Sequence, residues 1–262
     1  MIAIGNDNNI TLKIGTETVT AAYLGTELVY PTTPPIPPVV DYSTMYFTVE
    51  AIESGNFKID NTPSGFTYQY SRNEGLGWTT FDSSTSVNIP AGDTIIVRGS
   101  NQSDGTTGIG NCTSTGKFNV YGNVMSLIYG DNFIGQTTIL PHQLAGLFSY
   151  SPNLVSAQNL YLPVTNIPVY GYQAMFFGCT SLTTAPVLPA TTLGDYAYQY
   201  MFMNCASLNS ITCLATDISA EGCTDYWVNG VAATGTFTKD SSMSSWTTGN
   251  SGIPSGWTVQ DY

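Results

Sequence analysis

The sequence of 262 residues predicts a mainly β, modular chain, with an N-terminal β-meander, a small β-sandwich and a C-terminal repeat solenoid with short helices. Three observations lead there. Only 9% of residues are charged, while 26 are Gly, 14 Pro and 17 Tyr, which suits short strands and many turns rather than long amphipathic helices. Turn clusters divide the stretch from Tyr42 to Cys112 into short apolar runs. The second half repeats itself with offsets of 28, 26 and 25 residues, the mark of a stacked architecture.

The first module spans residues 1–30. Ile14-Gly15-Thr16-Glu17-Thr18-Val19 is echoed by Leu24-Gly25-Thr26-Glu27-Leu28-Val29. Gly-Thr between alternating runs signals a two-residue hairpin, because Gly supplies the positive φ of a type II′ turn. The reading is a three-stranded meander over residues 10–30. So small a sheet cannot sustain its own core and leaves two open edges, so it needs a partner. Leu24, Leu28, Val29 and Tyr30 are the candidate anchor residues.

Residues 31–41 form a linker. Its run Pro31-Thr32-Thr33-Pro34-Pro35-Ile36-Pro37-Pro38 predicts an extended polyproline spacer. A stiff spacer after a dependent sheet suits an anchor followed by a displayed body.

Residues 42–115 read as the β-sandwich, with strands over 45–52, 56–59, 66–70, 78–81, 87–89 and 94–99. Within them, Ser71-Arg72-Asn73-Glu74-Gly75-Leu76-Gly77-Trp78 resembles the Asp-box of sialidases and many other β proteins, with Asn in place of Asp. That motif implies a hairpin device in which a polar side chain caps the turn and the Trp packs beneath. It implies no catalysis.

Residues 116–262 are the predicted solenoid. Four quartets sit at i, i+3, i+4 and i+7: Leu144, Leu147, Phe148, Ser151; Tyr172, Met175, Phe176, Cys179; Tyr198, Met201, Phe202, Cys205; and Cys223, Tyr226, Trp227, Gly230. This spacing lines one face of a short helix. Leu154, Leu182, Leu208 and Ala233 follow three residues later. A lone unit cannot bury its apolar face, whereas stacked units share a core. Residues 251–259 read as a cap at one end and residues 118–133 as closure of the other.

The units Met175-Phe176-Phe177-Gly178-Cys179-Thr180-Ser181-Leu182 and Leu188-Pro189-Ala190-Thr191-Thr192-Leu193 resemble BspA-like leucine-rich repeats. Such repeats occur in surface proteins of Bacteroidetes and in proteins of their phages, including crAss-like phages. The resemblance covers residues 118–262; the first unit departs from it, with Ser151 at the Cys position. It implies a leucine-rich-repeat-like solenoid and a binding role.

The six basic residues are scattered singly and the net charge is −12, so phosphate-backbone binding has no electrostatic footprint. The acidity reads as a soluble, self-repelling surface. No apolar run is long enough to span a bilayer, and the N-terminus does not read as a secretory signal. Five cysteines without a CxxC pair point to reduced, buried thiols rather than a disulfide framework or zinc ribbon. His142 is the single histidine, so no His pair exists for a metal. No G-x-S-x-G elbow occurs, and the run 110–117 fails the phosphate-loop spacing. Eighteen carboxylates could supply a glycosidase pair, but nothing in the sequence pairs them. No cofactor, metal or catalytic residue is expected, and the chain reads as a non-enzyme.

Among the tyrosines of the repeats, Tyr172 and Tyr198 belong to the core. Tyr161, Tyr170 and Tyr196 are the candidates for an exposed binding face, suited to sugars or a protein partner. The expectation is a structural virion protein, a capsid-attached head fibre or decoration protein assembled in the bacterial host cytoplasm. It would dock on capsid or other virion proteins through its N-terminal segment and present a binding domain to host-surface glycan or protein. A homo-oligomer is expected, because neighbouring chains would cover the open sheet edges. The alternative is a bacterial cell-surface adhesin; a carbohydrate-active enzyme is the third class.

Overall fold

The computed structural model describes residues 13–14, 17–18, 23–24, 27–28, 40–101 and 104–262. The chain divides into two compact units, Met1–Val40 and Asp41–Tyr262.

In the first unit, β1 (Lys13–Ile14) pairs antiparallel with β2 (Glu17–Thr18), and β3 (Tyr23–Leu24) with β4 (Glu27–Leu28). Ile14 stands opposite Glu17 and Leu24 opposite Glu27, the register that a two-residue Gly-Thr connection dictates. The three-stranded meander expected over residues 10–30 falls largely outside the described residues. Among the described residues the strands pair as β1 with β2 and β3 with β4.

The second unit begins with strands close to those the sequence predicts: β5 (Phe47–Ala51), β6 (Gly55–Asp60), β7 (Tyr68–Ser71), β8 (Thr79–Phe81), β9 (Val87–Ile89) and β10 (Thr94–Gly99). β11 (Asn111–Ser114) and β12 (Phe118–Asn123) follow, then a single α-helical turn, Ser126–Tyr129, the one α-helix among the described residues. A three-stranded sheet of order β11-β6-β9 faces a six-stranded sheet of order β13-β12-β5-β10-β7-β8, where β13 is Leu154–Tyr161. Phe57 of the small sheet meets Phe81 and Phe118 of the large one, with centroids 6.5 and 6.4 Å away. β5 is central, and its alternation places Phe47, Val49 and Ala51 in the core with Thr48 and Glu50 on the other face.

The expected division at residue 116 falls inside a shared sheet. β12 pairs antiparallel with β5 and parallel with β13, and Phe47 of the sandwich meets Phe148 of the first coil, 6.1 Å between centroids. Sandwich and solenoid therefore have one core.

The Asp-box-like hairpin is capped differently from the motif. The N–H groups of Asn73 and Gly75 both donate to Ser71 Oγ, at 3.2 Å. Ser71 is the capping residue, and Asn73 is exposed. Trp78 packs on Tyr46 at 5.3 Å and carries the Arg98 guanidinium 3.9 Å above its ring.

The C-terminal part is a β-solenoid of about four turns. One side is a parallel sheet, β15 (Val187–Leu188), β17 (Ser210–Cys213), β18 (Thr236–Lys239) and β19 (Thr258–Asp261). A second is the short parallel pair β14 (Asn166–Ile167) and β16 (Thr192–Leu193). The third side is where short helices were expected, and it holds none. Residues 141–150, 168–178, 194–204 and 221–230 run as successive tight turns.

Each turn run is a ribbon whose amides alternate in direction. The N–H groups of Gly171, Gln173, Met175, Phe177 and Cys179 donate three residues back, to Pro168, Tyr170, Tyr172, Ala174 and Phe176. Those of Tyr170, Tyr172, Ala174, Phe176 and Gly178 donate across to the next coil, to the carbonyls of Asp195, Ala197, Gln199, Met201 and Met203. Every amide from 170 to 179 is thus bonded, as burial demands. A left-handed residue recurs every fourth position: His142, Gly146, Tyr150; Tyr170, Ala174, Gly178; Tyr196, Tyr200, Asn204; Gly222, Tyr226, Gly230.

This ladder fixes the repeat register. Asn204 and Gly230 are equivalent, as are Tyr200 and Tyr226, so the third-to-fourth offset in the ribbon is 26 residues. The fourth quartet shifts by one residue, to Thr224, Trp227, Val228 and Val231. At the ends, the N–H groups of Ile109 and Cys112 donate to the first ribbon, at Gln143 and Leu147. At the other end the Val228 N–H donates to Asn250, and Trp227 Nε1 to Gly252.

Candidate functional site

The inward positions of the ribbons build columns along the solenoid axis. Phe148, Phe176 and Phe202 stack with centroids 5.1 and 5.4 Å apart, and Trp227 continues the column to Trp246 at 5.4 Å. Tyr172, Tyr198 and Trp227 form a second column. Both tyrosines are fully buried, and burial raises their phenol pKa values well above the ordinary range. Neither hydroxyl has a hydrogen-bond partner.

The cysteines also form a ladder. Cys179 Sγ donates to the Phe148 carbonyl and Cys205 Sγ to the Phe176 carbonyl, both at 3.0 Å. Ser151, the departure from the repeat pattern, does the same in the first coil: its hydroxyl donates to the Cys112 carbonyl. Each side chain ties a coil to the one before it, so the Ser at the Cys position preserves a donor. All five thiols are free and buried, and burial raises the pKa of Cys213 to about 12. Such thiols are poor nucleophiles and poor metal ligands. Among the described residues no group of three or more His, Cys, Asp or Glu side chains is placed to hold a metal, and no helix is long and apolar enough to cross a membrane.

The outward face carries the left-handed positions, and it brings two of the three candidate binding residues together. Tyr170 and Tyr196 stack at 4.9 Å with planes 9° apart, and His142 stacks on the other side of Tyr170 at 4.5 Å. The Tyr196 hydroxyl donates to Glu221 Oε1 at 2.6 Å. That bond to a carboxylate, more than the accompanying desolvation, pushes its phenol up to about 12. The column stops at Gly222, where a Cβ would lie 2.5 Å from the Tyr196 ring. Tyr170 therefore has both faces covered by other rings, and Tyr196 lies between Tyr170 and the Gly222 backbone. They offer edges and hydroxyls, a geometry suited to a protein partner and unsuited to a sugar lying flat.

Tyr161 is elsewhere. It ends β13, 40% exposed, beside Tyr42, Val187 and Pro189 at a cleft of about 200 Å³. Of the anchor candidates, Leu24 and Leu28 lie on the β3–β4 pair; Val29 and Tyr30 lie outside the described residues.

The sequence reading missed two features. Arg98 bonds Gln69 Oε1 at 2.9 Å and pairs with Asp131, which also accepts the Tyr46 hydroxyl at 2.7 Å. The Tyr46 hydroxyl and then Arg98 lower the Asp131 pKa. These residues are distant in sequence, and no local motif announces them. The other is Tyr150, 70% exposed, beside a cleft of about 450 Å³ between the first ribbon and the segments around Asn61 and Gly110. Aligning the left-handed positions would have found it, since Tyr150 is equivalent to Gly178, Asn204 and Gly230.

No protein-family model, curated protein or solved structure matches this chain.

Proposed function

We propose that the chain is a structural component of a virion, a capsid-attached head fibre or decoration protein of a bacteriophage, displaying a BspA-like, leucine-rich-repeat-related solenoid toward the host surface. The supporting observation is the contrast between its two units. The first, read from its sequence as a sheet of about thirty residues with open edges, is below the size that usually sustains its own core. The second has a continuous core running from Phe47 to Trp257. A unit that needs partners beside one that does not is the division of labour between docking and display. The solenoid's stacked outward tyrosines suit contact with a protein, and its exposed strand β19 leaves a sheet edge that a neighbouring copy would cover.

Mass spectrometry of purified particles tests the reading, together with a variant lacking residues 1–30. The full chain should be found in particles, and the shortened chain should fold but fail to attach. Particles free of the protein would overturn the proposal. Its recovery from the bacterial cell surface instead would favour an adhesin.

A further inference from the structure

We infer that the cleft beside Tyr150 is a binding site for a neutral saccharide. The inference takes up the display reading and names a ligand class for it.

The cleft, about 450 Å³, falls within the range of small-molecule sites. Its lining residues are all uncharged, on a chain of net charge −12. Such a lining gives a phosphate, a carboxylate or a cation nothing to pair with, so a neutral hydrogen-bonding ligand suits it best. The polar groups are of the corresponding kind. Asn111 Nδ2 donates to the carbonyls of Gly146 and Ser149, at 3.0 and 2.5 Å, which holds the amide in place and leaves its Oδ1 as an acceptor. Ser149 and Asn61 line the same cleft.

Tyr150 supplies the apolar platform. Its ring meets Phe177 edge-on, 4.9 Å between centroids at 75°, and it lies over Gly178, where a Cβ would come within 3.2 Å of Cδ1. The ring is held yet remains 70% exposed. In this respect it differs from Tyr170 and Tyr196, which spend their faces on neighbours. Its backbone is left-handed, φ 55°, a conformation that Gly and Asn accept most readily. The equivalent positions are Gly178, Asn204 and Gly230, so of the four ribbons the first alone carries an aromatic here. A fixed, exposed ring beside amide and hydroxyl groups is the combination that recognises a sugar, whose C–H face stacks while its hydroxyls bond.

Saturation-transfer NMR on the full chain, with maltose, cellobiose, lactose and chitobiose at millimolar concentration, tests the site. Transfer to at least one of the four is expected. Tyr150→Gly removes the ring while easing the backbone, and it should weaken binding roughly tenfold or more with the protein spectrum otherwise preserved. Tyr226→Ala, at an exposed ribbon tyrosine away from the cleft, should leave binding unchanged. Absence of transfer from all four disaccharides, or unaltered binding by folded Tyr150→Gly, would overturn the inference. Particle composition decides attachment and saccharide binding decides the cleft, so the two can fail separately.

Discussion

The sandwich and the solenoid share a core but bury aromatic rings in different ways. In the sandwich several rings meet edge-on, Tyr46 and Trp78 at 63°, Phe57 and Phe118 at 67° and Tyr70 and Phe81 at 71°, and Tyr68 and Phe81 are tilted at 38°. Along the inward column of the solenoid they lie nearly parallel, Phe148 and Phe176 at 14° and Phe176 and Phe202 at 17°, while toward the cap Trp227 and Phe237 meet at 87°. Rings of a sandwich arrive from strands of unlike direction and take the edge-to-face geometry that their quadrupoles favour. Equivalent residues of successive coils arrive in the same backbone conformation, one coil apart, and stack in register. A substitution in the sandwich is therefore met by dissimilar neighbours, whereas one at Phe176 in the middle of the solenoid touches a phenylalanine on both sides.

The largest expected effect is alkaline. Burial raises the pKa values of Cys179, Cys213, Tyr172 and Tyr198 in the coils, and of Cys112 and Tyr68 in the sandwich. Each group keeps its proton when folded and loses it when unfolded, so unfolding releases protons and high pH favours it. For Cys213 the stabilisation is complete below the ordinary thiol value of 9.0 and is lost as pH rises toward about 12. Urea unfolding should show falling stability over this window, by about 1.4 kcal/mol per pH unit for each group. Both parts hold such groups, so coils and sandwich should weaken over the same window; stability unchanged across it would contradict their buried, protonated state.

Trp227→Ala should cost about 3–5 kcal/mol, measured by the same unfolding. The ring stacks between Tyr198 and Trp246, and its Nε1 bond to Gly252 holds the cap. Gly222→Ala should cost about 1–3 kcal/mol, because the new Cβ would sit on the Tyr196 ring at a left-handed φ of 55°. Displacing Tyr196 from Glu221 should also return its phenol toward its ordinary value, readable by ultraviolet titration. Cys205→Ala should cost roughly 1 kcal/mol, and Cys205→Ser less, since the Phe176 carbonyl keeps the Cys179 N–H and loses only its second donor. Tyr172→Phe is the smallest change: its hydroxyl is buried without a partner, so removal should be neutral or stabilising by up to about 1 kcal/mol.

The two halves also differed in how far their sequences could be read. Strands from Phe47 to Gly99 were legible because short alternating runs bounded by turn residues have few other solutions. In the solenoid the buried residues were legible but their conformation was not. Tyr172, Met175, Phe176 and Cys179 are all fully buried, as the quartet requires. Yet i, i+3, i+4, i+7 is satisfied equally by a ribbon of period four and a helix of period 3.6, and over ten residues the two do not separate. The discriminating signal was the small left-handed residues inside the supposed helices: Gly146, Gly178, Asn204, Gly222 and Gly230. Their spacing marks turns. Of the binding-face candidates, Tyr170 and Tyr196 were legible as outward positions. Their mutual stacking was not, since it depends on a register set by hydrogen bonds between coils.

That register is tested most directly by amide hydrogen exchange resolved by residue. In the ribbon, the N–H groups of Tyr170, Tyr172, Ala174, Phe176 and Gly178 bond the next coil, so their protection should fall together when Gly222→Ala or Trp227→Ala loosens the coils beyond. The amides of Gly171, Gln173, Met175, Phe177 and Cys179, bonded three residues back, should keep more of theirs. Protection that instead fell evenly along 170–179 with helical chemical shifts would contradict the ribbon, and with it the outward column of His142, Tyr170 and Tyr196.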